Sequence, residues 1–194
     1  MLFKKRDAPG SVKGAGLAKW YAGISDQDRV RVGRYADGIS ADSPVVFFAE
    51  AVEAAIKDGN WSFAVFLVEQ AYAFGPDDPA SFQLNEGLIE AYYHLERYED
   101  ALAACDANMA LFPKVSKDPA AAGREYMFRN RQIDIRIGVY GEYDRCQALL
   151  EEFVGMGAMP ADELPFRKNS LKIHRMQRVL DGVYSYTPVK ESKE

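Results

Sequence analysis

The chain has only two cysteines and two histidines among 194 residues. Cys105 and Cys146 lie far apart, each inside an expected helix at an inward position, so neither a disulfide framework nor a cysteine-based metal site is expected. The sequence contains no Gly-x-Ser-x-Gly, Cys-x-x-Cys or His-Glu-x-x-His. With so little histidine, conventional acid–base or nucleophilic chemistry has no motif to stand on, and no catalytic residue, metal or cofactor is expected. Gly10-Ser11-Val12-Lys13-Gly14-Ala15-Gly16 lacks the Gly-Lys-Ser/Thr ending of a phosphate-binding loop and follows no strand. No run reaches the roughly 20 apolar residues of a membrane helix. The amino terminus Met1-Leu2-Phe3-Lys4-Lys5-Arg6 leads into Asp7-Ala8-Pro9-Gly10, where a signal peptide would place its apolar stretch, so a cytoplasmic protein is expected. Period-two alternation is nowhere sustained, which excludes a sheet.

Positive charge is scarce in the middle of the chain. Residues 35 to 113 carry 2 basic and 14 acidic side chains, against 8 and 3 before them and 14 and 12 after. The net charge of -5 therefore hides an acidic centre between basic ends. An acidic centre disfavours nucleic acid there and suits either a basic partner or simple solvation.

The remaining signals are helical. Ser25-Asp26-Gln27-Asp28 supplies a cap and an acidic first turn for a helix to about Ala36, and Ser43-Pro44 starts another. Val45, Phe48, Val52 and Ala55 form one stripe, Asp58-Gly59-Asn60 breaks the chain, and Trp61, Ala64, Val65, Val68, Ala71 and Tyr72 form the returning stripe. The spacing then repeats. Phe48, Ala55, Trp61, Ala64, Val68, Ala71 and Pro76 recur 37 residues later as Asn85, Tyr92, Tyr98, Ala101, Cys105, Asn108 and Pro113. A third, weaker copy follows at an offset of 45, with Tyr143, Cys146, Leu150 and Phe153 in the positions of Trp61, Ala64, Val68 and Ala71.

Leu88, Tyr92, Tyr98, Ala101 and Pro113, with Phe48, Trp61, Ala64, Ala71 and Pro76, give the chain a pattern that resembles tetratricopeptide repeat proteins, marked W-x2-L-G-x2-Y…A-x3-F…P. Ile89 stands in place of the pattern's glycine, and Cys105 in place of its second aromatic. The resemblance implies an all-α, right-handed solenoid of antiparallel hairpins. The expected organisation is a mobile tail over 1–13, a single helical-repeat domain over 14–186 and a second tail over 187–194. Within the domain, amino-terminal helices at 14–38 precede repeats at about 44–78, 80–115 and 119–160 and a capping helix at 161–181. Pro113 is expected to close the second hairpin, and Trp20-Tyr21 to anchor the amino-terminal helix on the first.

In such repeats the first helix of each hairpin lines a concave groove. The resemblance places Glu53, Ile56, Glu86, Glu90, Tyr93, His94, Phe128, Arg131 and Ile135 there. A carboxylate clamp is not expected, because Ala49 and Glu53 stand where its Lys and Asn would be. Glu86, Glu90 and His94 fall at i, i+4 and i+8 on one helix face, which leaves a groove contact, a solvated face or metal ligation open. In the last helix Lys168, Lys172, Arg175 and Arg178 form a basic side opposite an apolar side of Phe166, Ile173, Met176 and Leu180, as a cap or an anion-binding face. The expected function is a non-enzymatic adaptor holding a protein or peptide partner, as a monomer, with a weak homodimer as the alternative. Association with nucleic acid or an anionic surface through the basic ends, and small-molecule or metal binding, are the other classes.

Overall fold

Asp77 ends a loop with its carboxylate accepting a hydrogen bond from Ala80 N at 3.0 Å, and Ser43 does the same for Val46 N at 3.3 Å. Such caps satisfy amide groups that the first turn of a helix leaves without partners. The computed structural model describes residues 15–36, 39, 41, 43–117 and 125–184, and no strand occurs among them. The expected tails, the segment 10–14, Gly38 as a helix stop and the start of the third copy at 119–124 lie outside the described residues. The described chain groups into two compact units, one reaching Lys117 and including Glu125–Gln132, the other beginning again at Ile133.

The first unit holds α1 (Ala15–Gly23), α2 (Asp26–Ala36), α3 (Pro44–Lys57), α4 (Trp61–Tyr72), α5 (Asp78–His94), α6 (Tyr98–Val115) and the opening turns of α7 (Met127–Ile135). Ser25 caps α2 by accepting from Asp28 N at 3.1 Å. Helix α3 packs on α4, α5 packs on α3 and α4, and α6 packs on α5. Phe47, Phe48, Phe63, Leu67 and Leu84 fill the core between them. Ala55, Ala64, Ala71, Ala91 and Ala101 are fully buried, and their small side chains let the helix axes approach. Trp20 sets its ring edge-on to Phe48 at 4.8 Å and donates from Nε1 to Gln70 Oε1 at 2.9 Å, which fixes α1 on α3 and α4. Gly87 lies where α5 crosses α3: a Cβ there would sit 2.7 Å from Val52 Cγ1.

Pro113 does not end its hairpin. Helix α6 runs on to Val115, because a proline in the last turn forfeits one amide bond while Ser116 N still closes on Phe112 O at 2.9 Å.

The second unit holds the end of α7, a single π-helical turn over Arg136–Tyr140, α8 (Tyr143–Gly155), a 3₁₀ turn over Ala161–Glu163 and α9 (Leu164–Tyr184). Cys146, Leu149, Leu150 and Phe153 are buried on α8, and Leu171 is buried on α9, which packs against α8.

Three connections share one backbone geometry. Gly59, Glu96 and Gly141 adopt φ of 70, 57 and 69°, and they are separated by the same 37 and 45 residues as the sequence motif. The residues after them, Asn60, Arg97 and Glu142, follow with φ, ψ near -89, 63; -86, 65; and -83, 58°. Asn60 N bonds Ala55 O and Arg97 N bonds Tyr92 O, five residues back, whereas Glu142 N bonds Arg136 O, six back. The π-helical turn before Gly141 absorbs that extra residue, so the third connection keeps the geometry of the others.

The orientation of α9 reverses the expected arrangement. Phe166, Ile173, Met176 and Leu180 are exposed, as is Val179. Lys168 pairs with Glu151, and Arg175 pairs with Asp144 at 3.3 Å. Arg178 donates to Ile137 O at 2.9 Å. Carboxylates on α8 pair with Lys168 and Arg175 of the basic side, although Lys172, Arg175 and Arg178 remain exposed, and the apolar side faces outward.

Candidate functional site

Glu90 occupies the fourth turn of α5, on the face also carrying Glu86 and His94, because 3.6 residues per turn bring i and i+4 together. Its Oε2 accepts from Arg131 Nε and its Oε1 from Arg131 Nη2, both at 2.8 Å, in a two-point pair. The same Oε1 lies 3.0 Å from His94 Nε2. Burial alone would raise the Glu90 pKa, but the Arg131 hydrogen bonds and charge, with those of His94, outweigh it and hold the carboxyl below its ordinary value.

Aromatic rings fix the two cationic partners. The Arg131 guanidinium lies 4.1 Å over the Tyr93 ring, and Tyr93 also meets Tyr98 edge-on at 6.1 Å. His94 stacks on Trp61, centroids 4.1 Å apart and planes within 11°. The result is a continuous band, Trp61–His94–Glu90–Arg131–Tyr93, contributed by the start of α4, the end of α5 and α7. In it Trp61, Tyr93 and Arg131 are partly buried and His94 is exposed.

Glu86 serves the fold instead. Its Oε2 accepts from Met127 N at 2.6 Å, and its Oε1 from Phe128 N at 3.1 Å and Asn108 Nδ2 at 3.0 Å. It thus caps the amino terminus of α7 from another helix. Burial raises its pKa above the ordinary value despite these three donors. Phe128 and Ile135 are fully buried and face no ligand, and Phe128 packs with Phe82, Phe112 and Tyr126. Glu53 is exposed and pairs with Lys57 at 2.8 Å, while Ile56 is half-buried beside Gly87.

Glu86, Glu90 and His94 do not converge, since both Glu86 oxygens point at α7. Among the described residues no group of three or more His, Cys, Asp or Glu is arranged to hold a metal. Cys105 and Cys146 are buried, and burial pushes the Cys146 thiol up to about 11, which makes it a poor nucleophile. No helix among the described residues is long and apolar enough to cross a membrane.

Trp61 and Tyr98 enter the band although their sequence positions read only as repeat markers. Both directly follow a left-handed turn and its cap residue, at the outer corner of a hairpin, and that position is the one sequence signal of their exposure. Asn108, the partner of Glu86, carries no such signal. Comparison with protein-family models, with curated proteins and with solved structures finds no match.

Proposed function

We propose that the chain is a non-enzymatic interaction adaptor, built as a tetratricopeptide-like stack of hairpins, that holds a peptide segment against the band around Tyr93. The observation that carries this reading is the band itself. Trp, Tyr and Arg dominate the energetics of protein interfaces, and here all three stand half-exposed yet already fixed by Glu90, His94 and Tyr98. A partner would meet rings and a guanidinium that lose little freedom on binding.

The charge of the surrounding sequence selects the partner. Glu69, Glu96 and Glu99 are exposed on α4, the α5–α6 connection and the first turn of α6, beside Glu53 paired to Lys57 and Asp100 paired to Arg97, so a basic or cationic segment is favoured. Nucleic acid or an anionic surface is less well supported. Of the four cations proposed for it, Lys168 and Arg175 are paired to carboxylates and Arg178 to a carbonyl.

Affinity purification from the native host, with wild type and a Tyr93→Ala/Glu90→Ala variant side by side, tests the reading. The variant should lose most of one co-purifying protein while keeping the wild-type circular dichroism spectrum. Equal recovery of every partner refutes the placement.

A further inference from the structure

Helix α9 presents a narrow apolar seam that, among the described residues, is left exposed. Phe166, Ile173 and Leu180 are spaced by seven, and Met176 lies three beyond Ile173 with Asn169 seven before it. These are the a and d positions of a heptad pattern, the spacing by which one helix pairs with another along its length. Phe166 is 74%, Ile173 57%, Met176 65% and Leu180 45% exposed, with Val179 at 61% beside them. On the opposite side Leu171 is buried, Lys168 and Arg175 pair with Glu151 and Asp144 of α8, and Arg178 donates to Ile137 O of the π-helical turn.

We propose that this seam pairs with the α9 of a second copy of the chain, in parallel and in register. Three observations select that occupant. The five apolar residues leave roughly 600 Å² of apolar surface per copy, and two copies together would cover about 1,200 Å², the size at which stable interfaces begin. The positions flanking the seam are Lys172 and Val179 on one side and Ser170 and Gln177 on the other, with Lys172 opposite a neutral Gln177 in a parallel pair, so two copies do not repel. An anionic lipid surface would instead need a basic fringe, and of the helix's other cations Lys168 and Arg175 are paired to carboxylates of α8, Arg167 to Glu163 and Arg178 to Ile137 O. Asn169 decides the direction. In a parallel pair it meets its own copy and the two amides bond to each other, whereas an antiparallel pair sets it against apolar side chains with its amide unsatisfied.

Sedimentation velocity of the full chain up to about 100 µM should show a concentration-dependent dimer. An Ile173→Glu/Met176→Glu variant should weaken association at least about 100-fold with unchanged circular dichroism, since it places like charges in the seam at exposed positions. Under mild oxidation, Asn169→Cys should form a disulfide between copies. A wild type that stays monomeric overturns the proposal, as does a dimer that the double variant leaves intact. A dimer that Asn169→Cys fails to cross-link overturns the register. A monomer that floats with phosphatidylserine vesicles, and loses this in the double variant, assigns the seam to lipid and equally overturns the proposal.

Discussion

Glu96 is a residue in a conformation that its neighbours in the pattern assign to glycine. At φ 57° its side chain crowds the following carbonyl, a cost of about 1–2 kcal/mol that Gly59 and Gly141 avoid. The side chain is exposed and holds no contact that would offset the strain. Glu96→Gly should therefore stabilise the chain by about 1 kcal/mol after the greater freedom of glycine in the unfolded state is deducted, raising Tm by about 2–4 °C. Gly141→Ala should do the reverse, and thermal melts of the two variants moving in the same direction would contradict the shared turn geometry. Glu86 offers a second test. Glu86→Ala strips the acceptors from Met127 N and Phe128 N and should cost about 1–3 kcal/mol, while Glu86→Gln keeps one acceptor oxygen and should cost less. Burial raises the folded pKa of Glu86 above 4.5, so its contribution is complete below that value and is lost as pH rises through the raised one. The deficit of Glu86→Gln relative to wild type should accordingly shrink as pH rises above 4.5 in urea melts. Glu90 runs the other way: its lowered folded pKa gives stability that is present above 4.5 and lost as pH falls below it.

At the level of elements, packing of α5 on α3 depends on the absence of one methyl group. Alanine in place of Gly87 gains about 1 kcal/mol of helix propensity but drives Cβ to within 2.7 Å of Val52 Cγ1. Val52 is buried and β-branched, so it has little freedom to turn aside, and the overpacking cost of about 1–3 kcal/mol should win. Gly87→Ala alone should lower Tm, and in a Val52→Ala background it should no longer do so. A loss that persists in that background would mean that the close approach is not the cause. The same elements show what was legible in the sequence. Ser43-Pro44, the Asp58-Gly59-Asn60 break and the Glu96-Arg97 turn act locally, and they set the bounds of α3, α4 and α6 at their starts. Pro113 misled because a proline stops a helix only where its missing amide and ring cannot be tolerated, and a last turn tolerates both. The facing of α9 was not legible for a different reason. Periodicity shows that a helix has an apolar and a basic side, but Glu151 and Asp144, which decide the inward side, come from another helix.

For the whole molecule, the band Trp61–His94–Glu90–Arg131–Tyr93 draws on residues 70 positions apart. Tyr93, His94, Glu90 and Arg131 were readable as candidates one helix at a time. Their linkage was not, because it is made by α4, α5 and α7 meeting, and Trp61 became part of it only through its stack on His94. The packing of α7 on α5 and α6 withdrew Glu86 and Phe128 from the exposed surface. In the proposed role, a protein partner binds this band on its acidic surround. Hydrogen-exchange and hydroxyl-radical footprinting of the full chain, with and without the partner captured from the native host, decides this. Binding there should protect the amides at the carboxy-terminal end of α5 and the Trp61 and Tyr93 side chains. Protection confined to other helices, with these groups as reactive as in the unbound chain, would contradict it.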